Sequence, residues 1–132
     1  AGISFEKAPV LPDWISDQFP FSRRVFRNGE HAIHFVDEGS GPVVLLQHGN
    51  PTWCYLWRRV IARLIPGGVR VIAPDLPGQG FTQSPNASRS GLPEMTADLT
   101  ALCTAENWHP VVIIGHSAGA AIALRLSQTL GV

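Results

Sequence analysis

Val111-Val112-Ile113-Ile114-Gly115-His116-Ser117-Ala118-Gly119-Ala120-Ala121 is the stretch on which the fold turns. Its first four residues are an unbroken apolar run, the pattern of a strand covered on both faces as in a parallel sheet. The residues that follow, Ala118 to Thr129, are rich in alanine and read as a helix. Between the two, Gly-x-Ser-x-Gly leaves no room for a long connection. The chain must pass sharply from strand to helix with Ser117 at the apex. Gly115 and Gly119 remove side chains that would collide across such a turn.

The same order of elements occurs twice upstream. Val43-Val44-Leu45-Leu46 is a buried strand, and His48-Gly49-Asn50-Pro51 a tight loop. Trp53, Trp57, Val60, Ile61 and Leu64 then recur at helical spacing as one apolar stripe, stopped by Pro66-Gly67-Gly68. Val69 to Ala73 is the next short strand, followed by the turn-rich loop Pro74-Asp75-Leu76-Pro77-Gly78-Gln79-Gly80. Thr82 to Gly91 is polar and expected to be mobile. Pro93 to Asn107 reads as a helix that buries Met95, Leu99, Leu102 and Cys103, with Pro93 in its first turn. Strand, loop and helix three times over specify an α/β class with parallel strands and right-handed helical crossovers. An N-terminal hairpin precedes them: Arg23 to Arg27 and His31 to Glu38, joined at Asn28-Gly29. Residues 1–20, with Pro9, Pro12 and Pro20, are expected to be an irregular leader, and residues 21–132 the core.

The turn at Ser117 has a chemical reading beside a structural one. As a nucleophile elbow, it lifts the serine hydroxyl clear of the sheet over a helix N-terminus, which favours developing negative charge. The alternative is a serine that caps an ordinary helix. Attack at an acyl carbon also needs two N–H donors aimed at the forming oxyanion. The backbone of Ala118 is the expected first donor and that of Asn50, in the His48-Gly49-Asn50-Pro51 loop, the second. The four tryptophans read as core or leader packing, although Trp53, just after the Asn50 loop, is also a candidate to border the pocket. His48 is expected to order its own loop, His116 to pack or make a structural hydrogen bond, and Asp75 to brace its loop. His31, His34 and His109 are not placed as bases.

The composition is that of a globular chain: 132 residues, 45% hydrophobic and 15% charged. Ten basic and ten acidic residues give a net charge of zero, with no basic stripe, so neither nucleic acid nor an anionic membrane is an expected partner. A small-molecule substrate is the expected one. There is no ligand cluster for a metal and no cofactor motif. Cys54 and Cys103 lie in segments read as helices, and a reduced state in the cytoplasm is the simpler reading. Asn86-Ala87-Ser88 matches a glycosylation acceptor but lacks the context of an export signal.

With these residues quoted, the chain resembles the N-terminal half of an α/β-hydrolase. The front resembles haloalkane dehalogenases, through Phe19-Pro20-Phe21, Val36-Asp37-Glu38-Gly39, His48-Gly49-Asn50-Pro51-Thr52-Trp53 and Tyr55-Leu56-Trp57-Arg58. The back resembles the hydrolase-like magnesium-chelatase accessory proteins of bacteriochlorophyll synthesis, through Asp75-Leu76-Pro77-Gly78-Gln79-Gly80-Phe81-Thr82 and Gly115-His116-Ser117-Ala118-Gly119-Ala120-Ala121. A natural intermediate and a mosaic both fit this pattern. The first resemblance implies an aspartate at the elbow and a tryptophan after it, where this chain has Ser117 and Ala118. A carboxylate attacking an alkyl carbon leaves an ester that water can cleave; a serine would leave an ether. Dehalogenation is therefore the least favoured reading, behind a serine hydrolase acting on an ester or related acyl bond. The second resemblance implies an accessory role toward magnesium chelatase through porphyrin or partner binding.

No Asp, Glu or His follows Ser117. A serine needs a base, and the base an orienting acid. The expectation is that both, with the C-terminal half and the cap, belong to a longer protein; a degenerate fold kept for binding is the other account. Within these residues the strand at Val111–Ile114 is expected to be an open apolar edge. The chain alone is expected to be inactive and poorly stable.

Overall fold

The computed structural model describes residues 3–85 and 91–132. The glycosylation match at Asn86 lies outside the described residues. Six strands form one sheet in the order β1-β2-β3-β5-β4-β6. They are β1 (Ile3–Lys7), β2 (Arg23–Asn28), β3 (His31–Gly39), β4 (Val43–Gln47), β5 (Arg70–Pro74) and β6 (Val112–Gly115). β1, β2, β3 and β5 pair antiparallel in that order; β4 runs parallel to both β5 and β6. The three parallel strands are the three expected from the apolar runs. Their helical connections are α2 (Arg58–Leu64) and α3 (Leu92–Glu106), and α4 (Ala118–Leu130) follows β6.

Alternation along the strands sorts the core into two layers. Phe35, Leu45 and Ile72 face α3 and α4, where they meet Leu99, Leu102, Ile122 and Leu126. Val36, Val44, Leu46, Val71 and Ala73 face the other way, toward Trp57 and Ile61. Cys103 belongs to the first layer and Cys54 to the second, so the sheet separates two free, buried thiols. At one end of the first layer, Asp37 takes hydrogen bonds from Arg24 and Arg70, while Glu106 takes one from Arg24.

The leader is not irregular. Ile3–Lys7 is an edge strand on β2, and a short helix, α1 (Asp13–Ser16), follows. β1 is held because β2 offers an unpaired backbone edge and Phe5 lies across Phe26 and Phe35, with ring centroids at 5.2 and 6.4 Å. The hairpin turn falls one residue later than expected. Asn28 pairs with His31, leaving Gly29-Glu30 at the tip, and only Gly29 has a positive φ, as in a type II′ turn. The helix after the Asn50 loop begins as a tighter 3-10 segment, Cys54–Trp57. Three residues per turn instead of 3.6 shift the phase of the apolar stripe, so Val60 points out while Trp57 and Ile61 stay buried. The start of the expected mobile loop is also fixed. Thr82 is buried and donates to Asp75 O at 2.8 Å, and Gln83 bridges to Ala32.

Among the described residues β6 pairs with β4 alone. Val111, Val112 and Ile114 are exposed along it, as is Leu124 on α4, so β6 is the open apolar edge expected of it. No helix of the described residues is long and apolar enough to cross a membrane.

Candidate active site

Ser117 follows His116 in the two-residue turn between β6 and α4, with φ 59° and ψ −126°. That is a region a non-glycine residue occupies at a cost of about 1–3 kcal/mol. Its side chain is exposed and makes no capping hydrogen bond to α4. The reading of Ser117 as an ordinary helix cap therefore lacks its defining contact. What holds the turn is backbone: His116 N–H donates to Gln47 O (3.0 Å), Gly119 N–H to His116 O (2.9 Å) and Ala120 N–H to Ser117 O (2.9 Å).

The glycines are required by contact. A Cβ on Gly115 would strike Gly119 O and lie 2.6 Å from Ala120 Cα. One on Gly119 would strike the carbonyl oxygens of Gln47 and His48. One on Gly49 would lie 2.7 Å from His116 O, 2.9 Å from Ser117 Cβ and 3.2 Å from Ala118 N. The His48–Pro51 loop thus rests directly on the serine turn. The two motifs, some seventy residues apart in sequence, form one surface because β4 and β6 are parallel neighbours ending side by side.

Asn50 and Ala118 both line a cavity of about 680 Å³, with Leu76, Gln79, Met95 and Ile122 among its other walls. Ser117 itself is not on that lining; its neighbour Ala118 is. A larger groove of about 860 Å³ lies between α3 and α4, beside Thr96, Thr100 and Arg125, and contains none of these residues. Gln79 and Asn50 meet side chain to side chain at 3.0 Å. Gln79's other amide atom lies 2.8 Å from Thr52 O and 3.3 Å from Gly49 O, so its nitrogen belongs on that side and its oxygen accepts from the amide nitrogen of Asn50, turned to face it. Gln79 went unremarked as a site residue. Its signal was its place in a loop at the carboxyl end of a strand, where open α/β sheets bind ligands.

His48 is buried and spans two loops. Leu76 N–H donates to its Nε2 at 2.9 Å, and its Nδ1 donates to Gly49 O at 2.7 Å. Acceptance at Nε2 needs the neutral ring, whereas the bond to Gly49 O does not. Burial lowers the His48 pKa, against the Gly49 hydrogen bond and the charge of Asp75. Asp75 braces its loop as expected and reaches further. It accepts from Cys54 N–H (2.8 Å), Phe81 N–H (3.1 Å) and His34 Nδ1 (2.8 Å). His34 Nε2 in turn accepts from Arg23 at 3.0 Å, so both ring nitrogens are occupied and the ring is fully buried.

His34, Cys54 and Asp75 place ligand atoms within 4.8 Å of one another. The donor set does not fit a cation. Arg23 sits on the ring, Asp75 already accepts from three N–H donors, and burial first, then Asp75, pushes the Cys54 thiol well above its ordinary range. A second grouping, Ser84–His31–Asp98, imitates a proton relay. Both contacts, at 2.8 and 3.3 Å, use the same nitrogen, Nδ1, so no proton can pass through the ring.

Two expectations need correction. Trp53 does not line the cavity. It stacks on Tyr55 (5.5 Å between centroids, 13° between planes) and packs against Phe19 and Phe81, because its side chain belongs to the layer on the α2 side. His116 is exposed and its side chain makes no hydrogen bond among the described residues, since β6 has no further neighbour there to receive it.

Comparison with known proteins agrees with this fold. The magnesium-chelatase 30 kDa subunit of Rhodobacter capsulatus is 46% identical over 94 residues, 70% of this chain and 33% of that protein. Haloalkane dehalogenase 2 of Mycobacterium bovis is 46% identical over 68 residues, 52% of this chain and 23% of that one. The crystal structure of epoxide hydrolase A from Mycobacterium thermoresistibile superposes with a TM-score of 0.72 at 31% identity, over 81% of this chain and 34% of that one. Epoxide hydrolases were not anticipated from the motifs. The chain spans about a third or less of the length of each of these relatives. The family described as alpha/beta hydrolase fold matches residues 42–130, which include both the Asn50 loop and the Ser117 turn. With that match over more than half its length, the chain belongs to the alpha/beta hydrolase fold family.

Proposed function

We propose that the protein is a serine hydrolase of small-molecule esters or related acyl compounds, with Ser117 as nucleophile and the backbone N–H groups of Asn50 and Ala118 as oxyanion donors. The observation that carries this is the uncapped, exposed, positive-φ serine at the head of α4, with Gly49 packed against it. A residue held in a costly conformation without a structural bond to repay it is the usual mark of a chemical role. In the reaction, Ser117 Oγ adds to the acyl carbon and its proton passes to a base. The ester C–O bond then breaks, releasing the alcohol, and water cleaves the acyl-serine. Two N–H donors at the forming oxyanion supply the stabilisation; loss of one such donor costs about 3–4 kcal/mol. Among the described residues no side chain hydrogen-bonds to Ser117.

Ser117 weighs against the reactions named for the dehalogenase and epoxide hydrolase relatives. A serine attacking an alkyl or epoxide carbon leaves an ether, which water does not cleave. The test is fluorophosphonate labelling of the full-length protein. Labelling abolished by Ser117→Ala is expected, and absence of Ser117-dependent labelling refutes the proposal. Two free thiols buried on opposite faces of the sheet suit a reducing compartment such as the cytoplasm.

The 46% identity to a magnesium-chelatase subunit favours one second reading, an accessory role in that assembly. Co-purification of the tagged full-length protein with magnesium-chelatase subunits from its own source would support it. A source that contains no such enzyme would exclude it.

A further inference from the structure

We propose that the cavity beside Asn50 and Ala118 is an acyl pocket for an uncharged, apolar chain of medium length, with Met95 and Leu92 setting the length it accepts. This rests on the reading of Ser117 as nucleophile. An acyl group whose oxygen lies at the Asn50 and Ala118 N–H groups has its chain beside this cavity, because both residues form its wall. Leu76 and Ile122 line it and are almost wholly buried, so that side is fixed by the core. Met95 is half-buried against the same core layer, and Leu92, at the start of α3, is exposed at the rim.

Among the described residues no charged side chain lines the cavity. Its polar side chains, Asn50 and Gln79, are engaged with each other at 3.0 Å. A carboxylate or ammonium carried into it would lose hydration and find no counter-charge on these described walls. An alkyl chain loses nothing there and gains burial. The volume, about 680 Å³, lies within the range that holds small organic ligands.

The experiment uses the full-length protein and p-nitrophenyl esters of acetate, butyrate, hexanoate and octanoate, with the hemisuccinate as a charged counterpart of butyrate. Ser117 labelling by fluorophosphonate is measured alongside. Each methylene seated should raise kcat/KM about fourfold, the factor equivalent to about 0.8 kcal/mol of burial, until the pocket is full. The hemisuccinate should react at least about tenfold more slowly than butyrate. Met95→Trp and Leu92→Trp should each lower the hexanoate-to-acetate ratio of kcat/KM by about tenfold or more, the equivalent of two or more methylenes refused. Leu92 is included because tryptophan at Met95 also loads the core, whereas the rim position does not. A wild type that is labelled at Ser117 but shows no chain-length dependence overturns the pocket and leaves the nucleophile standing. So does an unchanged ratio in the folded Leu92→Trp protein. Absence of labelling at Ser117 overturns the nucleophile and the pocket with it.

Discussion

Replacing Gly49 with alanine tests the contact on which the site depends. The added methyl would lie 2.7 Å from His116 O, 2.9 Å from Ser117 Cβ and 3.2 Å from Ala118 N. Ordinary contact begins near 3.4 Å, so the shortfalls are substantial, and two of the three atoms are backbone that cannot rotate away. Gly49 does not have a positive φ, so no conformational penalty adds to the collision. Overpacking of this kind costs about 1–3 kcal/mol, and rigid neighbours place it in the upper half. For a chain of this length the fall in Tm is about 7–10 °C. Relief requires the serine turn to retreat by about half an ångström, and a full ångström of misplacement can cost about a hundredfold in rate, so Ser117 labelling should slow about tenfold. Gly67→Ala is the control, since its methyl meets nothing within 4 Å; it should change stability by no more than about 0.5 kcal/mol. Urea unfolding of both variants, with m-values compared, gives the answer. If Gly49→Ala is no less stable than Gly67→Ala, the two turns are not in contact and the site as described is wrong.

Three further outcomes are expected. Ser117→Gly should raise stability by about 1–3 kcal/mol in urea unfolding, by relieving the φ 59° conformation, while abolishing fluorophosphonate labelling. Asp75→Ala should cost about 3–5 kcal/mol by the same measurement, because two buried donors, from Cys54 and His34, and a part-buried one, from Phe81, lose their acceptor together. Stability should fall as pH drops below 6.5, the ordinary His value. The unfolded chain binds a proton there that buried His48 refuses until its own lower pKa is reached, and His48→Asn should remove that part of the slope. A second loss should follow below pH 3.8. Burial alone would raise Asp37, but its hydrogen bonds from Arg70 and Arg24 outweigh this and hold it below the ordinary carboxylate value.

What the sequence disclosed was local. The run Val111–Ile114 before Gly115 and the alanines after Ser117 announce a strand, a turn and a helix without help from the rest of the chain. Asn50 and Ala118 could be named together because each sits at a fixed offset from a glycine turn. β1 was hidden because Ile3 and Phe5 are only two apolar positions ahead of Pro9 and Pro12, and the strand exists only because β2 has a free edge. Val60 was misplaced because a 3-10 turn and an α-helix use the same residue types and differ in phase. His34 and Asp75 are 41 residues apart, and their bond follows from β3 and β5 lying side by side, an order no local pattern contains. Gln79 and Trp53 exchange the importance that proximity in sequence suggested, because only the packing shows which loop faces the cavity and which aromatic faces the core.

The cluster of Arg24, Asp37 and Arg70 has a consequence for how the sheet assembles. The three side chains come from adjacent strands and share the face that carries Phe35 and Ile72. A slip of β3 by one residue would turn Asp37 to the opposite face, among Val44, Val71 and Ala73. There the carboxylate would be stripped of water and of both guanidinium partners, at a cost of at least a few kcal/mol. Apolar β-branched residues tolerate a misaligned neighbour, since one valine fits much like another. Three interlocked charges do not, so they act as an alignment key that rejects wrong pairings of the hairpin with the parallel strands before the core has closed.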